Sequence, residues 1–464
     1  MVRRERWMVL ATLALLQIFV VVAGGYVILH DAARTPAPIA SPEPTPTPIV
    51  TAGPVLAAAE DGALPAKGTL TALLADAMKA PALGGRVAGV VLDARTGGAL
   101  FDGGSGTPIK PASTTKVVTA VAVLASAGPD ARLATRVVKG KGPGDIVLVG
   151  GGDPTLAGPK AGADAEWSKD TVYPRPASLA QLASRTAKAL KAANVTSVNL
   201  AYDSSLFSGP VTAPGWKPTY IPEGSVAPVA ALTMDEGRSA GGGRFADPPR
   251  STADAFAALL KRYGVKVGKD IAAGDAPGGA QELARVESPP LYALVERMLT
   301  LSDNDLAEAL SRQVAIKAGL PHTFLGEAEA VQRVLRGLKA DQGIEVHDGS
   351  GLSTRNRITP AALARLLAVA ASPEHPELHS LISGLPVAGF TGTLHNRYDK
   401  GDSQAGAGLV RAKTGTLTGV NTLAGIAYTN DGRLLSFAFM ADDVADPTGA
   451  MAALDKMATI VSQS

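Results

Sequence analysis

Ser113 and Lys116 stand three residues apart in Ile109-Lys110-Pro111-Ala112-Ser113-Thr114-Thr115-Lys116-Val117-Val118-Thr119. On a helix that spacing puts a hydroxyl and an amine on one face, within reach of each other. A hydroxyl beside a base is the minimum for a serine nucleophile. Alone the pair is weak, because a Ser and a surface Lys share the start of many helices. Two later stretches carry groups that would complete a site. Ser302-Asp303-Asn304 offers a hydroxyl to relay a proton and an amide to hold a substrate backbone or the Lys amine. Lys413-Thr414-Gly415-Thr416 offers an ammonium and hydroxyls suited to a carboxylate.

In such a site Ser113 attacks a peptide carbonyl and forms an acyl-enzyme, and Lys116 takes its proton. Burial of Lys116 and the positive Lys413 nearby would both favour the neutral amine that a base requires. The backbone N–H groups of Ser113 and Thr416 could form an oxyanion hole, and a helix N-terminus at Ser113 favours developing negative charge. Asp303 lies between the two functional residues of its stretch and is expected to cap the following helix.

The elements around these residues read as an α+β fold. Pro111 discourages helix before it, and Gly128-Pro129 stops the helix that follows. Between them the chain is apolar on nearly every side, so this helix belongs in a core. Val87–Asp93 and Ala99–Phe101 read as a hairpin ahead of it. Near the end, Leu409–Thr416, Leu423–Thr429 and Arg433–Ala441 read as three strands, the last two joined by Asn430-Asp431-Gly432. These five strands predict one antiparallel sheet between helical layers. From Ala131 the pattern changes to short strands (Ala134–Lys139, Asp145–Val149, Ser197–Tyr202) with a helix over Ser178–Ala193. This predicts an inserted α+β subdomain at 130–245. Helices follow at Thr252–Tyr263, Pro290–Thr300, Leu306–Ala318, Gly326–Leu338 and Pro360–Ala371, with a closing helix at Pro447–Val461.

Before residue 68 the sequence is of another kind. Arg3, Arg4 and Arg6 form a basic tail over residues 1–6, and residues 7–29 carry no formal charge. That run is long enough to span a bilayer, and the arginines before it predict a cytoplasmic N-terminus. Its length favours an uncleaved signal-anchor over a signal peptide cut after Ala23. Residues 30–67 are a Pro- and Ala-rich linker that holds the later domains away from a membrane. The expected location is therefore the outer face of the cell membrane, or secretion if the segment is cleaved. The peptidase unit would then comprise 68–129 and 246–464.

Composition removes several function classes. A net charge of +2 over 464 residues gives no field for nucleic acid. With no cysteine, disulfides, thiolate metal sites and Cys nucleophiles are excluded. The six histidines are scattered without metal-ligand spacing, so neither a metal nor another cofactor is expected.

The triplet Ser113-x-x-Lys116, Ser302-Asp303-Asn304 and Lys413-Thr414-Gly415, in this order, is similar to that of penicillin-binding proteins and class A β-lactamases. Further stretches narrow the match: Gly151-Gly152-Asp153-Pro154-Thr155-Leu156, Ala213-Pro214-Gly215-Trp216, Asp348-Gly349-Ser350-Gly351-Leu352-Ser353, Pro386-Val387-Ala388-Gly389 and Gly392-Thr393-Leu394. With these, residues 70–464 resemble the class C low-molecular-mass penicillin-binding proteins, the D-alanyl-D-alanine carboxypeptidase/endopeptidases. The long interval between Ser113 and Ser302 fits that family, which inserts domains there, and does not fit a compact β-lactamase.

The resemblance implies a penicillin-binding-protein/β-lactamase-like transpeptidase fold and a serine peptidase acting on peptidoglycan stem peptides, with β-lactams as inhibitors. It implies Ser113 as nucleophile, Lys116 as base, Ser302 as relay, Asn304 in positioning, and Lys413, Thr414, Gly415 and Thr416 at the substrate carboxylate. Ser350, Tyr220 and Glu223 would lie on the rim. A β-lactamase or esterase on the same fold, or a poorly catalytic penicillin-binding scaffold, are the alternatives.

Two departures stand out. The chain passes from Met234-Asp235-Glu236-Gly237-Arg238 almost directly to the next helix, so most of a third domain is missing. Tyr220 occupies the position four after Trp216, where members that bind diaminopimelate carry an acid. Glu223 is the possible substitute.

Overall fold

The computed structural model describes residues 62–159, 174–239 and 241–464. The expected membrane segment at 7–29 and the linker up to residue 61 lie outside the described residues. Among the described residues, no helix is long and apolar enough to cross a membrane.

The described residues begin with α1 (Lys67–Ala77), the hairpin β1 (Arg86–Asp93) and β2 (Ala99–Gly103), and α2 (Thr115–Ala127). Next come β3 (Ala134–Lys139), β4 (Asp145–Val149), α3 (Leu179–Ala192), β5 (Ser197–Asp203), α4 (Pro248–Arg262), β6 (Lys266–Val267), β7 (Ala272–Ala273) and β8 (Glu282–Glu287). After them run α5 (Leu291–Leu301), α6 (Asn304–Lys317), α7 (Phe324–Gly337), the short pair β9 (Ile344–Glu345) and β10 (Arg357–Ile358), α8 (Pro360–Ala371) and α9 (His379–Gly384). The chain closes with β11 (Val410–Leu417), β12 (Val420–Tyr428), β13 (Leu434–Asp442) and α10 (Pro447–Ser462).

The expected five-stranded sheet forms in the order β11-β12-β13-β1-β2, with every neighbour antiparallel. Strands alternate their side chains between two faces. In β13, Leu434, Ala438 and Met440 enter a core shared with α2, α5, α6, α7 and α8. Leu435, Phe437, Phe439 and Ala441 enter a second core with α1 and α10. Both faces are covered, which is why every residue of β13 is buried and the strand is apolar but for Ser436 and the terminal Asp442. Each large side chain so buried contributes about 1.5–3 kcal/mol. Helix α2 is enclosed by α5, α6, α7 and α8. That position accounts for a first turn and body, Thr115 to Leu124, with no solvent-facing side.

The second sheet runs β6-β5-β4-β3-β8, with β7 also pairing with β5. It is mixed: β4–β5 is parallel, and β3–β4 and β3–β8 are antiparallel. α3 and α4 cover one face. The subdomain was expected to end at 245, whereas this sheet also takes in Glu282–Glu287 and the helix from 248 packs on it. β8 is hard to see in the sequence because its buried Ala284 and Val286 and half-buried Leu283 stand among the exposed Glu282, Arg285 and Glu287 without a clean alternation.

Candidate active site

The nucleophile candidate sits at a strained turn. Ala112–Thr114 form a 3₁₀ turn that runs into α2 at Thr115, so Ser113 precedes the α-helix proper. Ala112 has φ 48°, a left-handed value that non-glycine residues avoid. Such a residue costs about 1–3 kcal/mol and persists only where its surroundings fix it. Here Thr115 Oγ1 donates to the Ala112 carbonyl at 2.9 Å, and Thr114 and Thr422 hydroxyls donate to that of Pro111 at 2.6 and 2.9 Å. Gly351, at φ 88°, lies so near that a Cβ there would be 1.9 Å from the Ala112 oxygen. The turn is thus clamped from β12 and from the 348–353 loop, and Ser113 is left half-buried.

Lys116 is completely buried. Its ammonium has three N–H donors, and three acceptors surround it: Ser113 Oγ at 3.1 Å, Asn304 Oδ1 at 2.7 Å and the Ser350 carbonyl at 2.8 Å. Burial pulls its pKa down to about 8, against the opposing charges of Glu308, Asp348, Asp303 and Asp305. At pH 7 about one Lys116 in ten is therefore neutral. The effect expected from Lys413 falls mainly on Lys413 itself. That amine is also fully buried, and burial together with the charges of Lys116 and Arg397 holds it well below the usual lysine range.

α5 and α6 meet at the Ser-Asp-Asn stretch. Ser302 ends α5 in the left-handed region (φ 58°, ψ 40°). Asp303 caps α6 as expected, accepting from the Leu306 N–H at 2.9 Å. Its burial, reinforced by the charges of Glu236 and Asp305, pushes its pKa up to about 7. Asn304 is oriented at both ends, since its Nδ2 donates to the Ser225 carbonyl at 2.9 Å while Oδ1 faces Lys116.

β11 forms the opposite wall. Ala412 N–H donates outward to Pro386, and the Val410 carbonyl accepts from Ala388. The two-residue repeat of a strand aims the N–H groups of Thr414 and Thr416 along the same free edge. Lys413 Nζ donates to the Thr414 carbonyl at 2.8 Å, and the Thr393 and Thr414 hydroxyls are 2.9 Å apart. A Cβ on Gly415 would sit 2.7 Å from the Pro111 oxygen and 2.1 Å from Thr422 Oγ1. Only glycine lets the strand lie this close to the Ser113 turn.

Residues 70–241 and 242–462 match the D-Ala-D-Ala carboxypeptidase 3 (S13) family. The chain belongs to that family. It is 38% identical over 426 residues to a carboxypeptidase of Mycobacterium tuberculosis, covering 91% of this chain and 89% of that one. It is 37% identical over 456 residues to the carboxypeptidase DacB of Mycolicibacterium smegmatis, covering 97% and 95%. The fold is like that of penicillin-binding protein 4 from Haemophilus influenzae, with a TM-score of 0.71 at 21% identity over 84% of this chain and 99% of that one. The protein is accordingly a serine peptidase of the D-Ala-D-Ala carboxypeptidase kind, on a fold like that of penicillin-binding proteins. The join between the two matched stretches falls in Ser239–Gly243, next to the point where the sequence shows a shortened insertion.

Of the three residues expected on the rim of this S13 site, two are buried. Ser350 is fully buried, and its carbonyl reaches Lys116 because the 348–353 loop folds under α2. Tyr220 is buried with Val226 and Leu352, and its hydroxyl has no partner. Burial and the charges of Asp348 and Glu223 raise the pKa of that phenol. Glu223 alone is exposed.

Asp348 and Trp216, named in the sequence only as parts of matching stretches, and Glu308, not singled out there, have structural roles. Asp348 accepts from the N–H groups of Gly351 and Ser353, from Asn356 Nδ2 and from Trp216 Nε1, at 2.7–3.0 Å. Trp216 stands edge-on to Phe324, over which the Arg312 guanidinium lies at 3.9 Å. Glu308 is buried beneath the same loop. The available signal was helical spacing: Glu308 follows Asn304 by one turn on a helix that carries a catalytic motif.

Proposed function

We propose that this peptidase removes the terminal D-Ala of peptidoglycan stem peptides, or cuts their D-amino-acid crosslinks, with Ser113 as nucleophile and Lys116 as its base. The observation that carries the assignment is the 3.1 Å contact between Lys116 Nζ and Ser113 Oγ, on an amine whose pKa is brought to about 8 by burial. Neutral Lys116 accepts the Ser113 proton as Oγ bonds to the carbonyl carbon. The oxyanion is held by the N–H groups of Ser113 and Thr416. Losing one such donor typically costs about 3 kcal/mol in the transition state. Collapse breaks the C–N bond, and the leaving amine takes its proton from Lys116 through Ser302. Water then attacks the acyl-enzyme with Lys116 again as base, releasing the shortened peptide and free Ser113.

Lys413 has a part in binding. Its ammonium is disfavoured by burial and by Lys116. A substrate carboxylate beside Lys413, Thr414 and Thr416 supplies a counter-charge. A charged Lys413 in turn favours neutral Lys116, so carboxylate binding prepares the base.

β-Lactams should acylate Ser113 by the same attack. The apolar residues 7–29 support a single-pass anchor that places the enzyme on the outer face of the membrane. The test is labelling of the full chain with a fluorescent penicillin, beside digestion of whole peptidoglycan with product analysis by mass. Covalent label on the parent and none on Ser113→Ala is expected, with free D-Ala or resolved dimers among the products. Equal labelling of the two proteins would falsify the assignment. Release of the enzyme from membranes on deletion of 7–29 tests the anchor.

A further inference from the structure

The three acceptors around Lys116 do not have independent supports. Asn304 Oδ1 comes directly from the first turn of α6. The Ser350 carbonyl comes from a loop, and α6 holds that loop as well. Glu308, one turn after Asn304, accepts from the Ser350 N–H at 2.8 Å through Oε1 and from the Gly349 N–H at 3.1 Å through Oε2. From the other side, Thr119 of α2 donates to the Gly349 carbonyl at 2.6 Å. Glu308 is 1% exposed and Ser350 is fully buried, so water does not replace these bonds.

We propose that Glu308 is a positioning residue of the hydrolysis, holding the Gly349 and Ser350 amides so that the Ser350 carbonyl fixes Lys116 against Ser113. Both of its carboxylate oxygens are used, one on each amide. A glutamine offers one acceptor and turns an NH₂ donor toward the second N–H, so the loop must move and carry the Ser350 carbonyl with it. Glu308 touches neither the nucleophile nor the expected substrate site, and acts through Lys116. The inference rests on the assignment of Lys116 as base.

The test is Glu308→Gln in the full chain, with acylation by a fluorescent penicillin and D-Ala release followed against pH, beside thermal unfolding. Acylation and kcat should fall about tenfold to a hundredfold, with KM within about twofold. The acid limb of the rate profile should move to lower pH. The groups whose charges bear on Lys116 are Glu308, Asp348, Asp303 and Asp305, with Lys413 across the cleft, and the variant removes the first of the four carboxylates that raise its pKa. Merely structural damage lowers the amount of active enzyme without moving that limb. A folded variant with the parent's rate and limb, or with a loss confined to KM, overturns the proposal.

Glu308→Asp keeps the charge but falls one methylene short of the two amides, and serves if the glutamine variant does not fold. It should lose about tenfold in kcat per penicillin-titrated active site, a readout that a smaller amount of active enzyme does not move, with its acid limb in place, and a parental kcat per site overturns the proposal. Ser113→Ala separates the two readings. If the parent labels at Ser113 while Glu308→Gln behaves as parent, this inference alone fails. If the parent does not label there, the assignment beneath it fails.

Discussion

The two sheets of this molecule are packed differently. The five-stranded sheet has helices on both faces, and its strands feed two large cores. The inserted sheet has a large core only on the side of α3 and α4; on the other, Val138, Val147 and Val149 form a small cluster with partly buried Ala201, Ala276 and Ala280. The groups proposed for chemistry lie on the first unit and on α2, α5 and α6, which enclose one another. The insertion reaches the site through loops: Trp216 donates to Asp348, and Ser225 accepts from Asn304. A doubly covered sheet can hold a strained Ala112 and two buried lysines in place. A singly covered one is suited to carrying a loop, and needs no such precision.

Four measurements test that contrast. Lys116→Met fills the same buried space with no charge and no donor. Acylation by a fluorescent penicillin should fall by about 10²–10⁴-fold while thermal unfolding stays cooperative. Comparable activity in this variant would remove the base from the doubly covered half.

Stability gives the next largest contrast. Phe437 is fully buried and stacks on Phe439 with ring centroids 5.3 Å apart. Phe437→Ala should cost about 3–5 kcal/mol in denaturant unfolding. Val147→Ala, on the sparsely covered face of the inserted sheet, should cost about 1 kcal/mol. Equal losses would mean that the two sheets are equally essential to cooperative unfolding.

The pH profile isolates the buried amine. With the Lys116 pKa near 8 and the neutral form acting as base, acylation should fall about tenfold per unit below that value and level off above it. A limb near pH 10 would mean that burial does not act on Lys116.

The smallest effect is expected where the insertion touches the site. Trp216→Phe removes the indole donor to Asp348, which keeps its bonds to Gly351, Ser353 and Asn356. The loss should be about 1 kcal/mol, within tenfold in kcat/KM. A loss as large as that of Lys116→Met would place the insertion within the catalytic unit.

Much of the catalytic half could be read directly. The nucleophile helix, the hairpin before it and the three late strands carry long apolar patterns with clear stops at Gly128-Pro129 and Asn430-Asp431-Gly432, and all five strands form the expected sheet. The inserted half was less legible. β8 sets Leu283, Ala284 and Val286 among three charged residues, and β6 and β7 have two residues each, too short for any period to show.

The amino-acid order by itself determined which groups are available for chemistry. Ser113 and Lys116 share a helical face through local spacing, and Asp303 caps α6 because a carboxylate before a helix meets its free N–H groups. Tertiary structure decided how those groups are tuned. Ser350 and Glu308 are far from Lys116 in sequence, yet the Ser350 carbonyl accepts from its amine and the Glu308 charge acts on it, and Tyr220 is buried where a rim residue was expected. The physical reason is that hydrogen bonding and desolvation depend on what packs around a group. For Lys116 those surroundings come from α2, α6 and a loop brought together by the sheet beneath them.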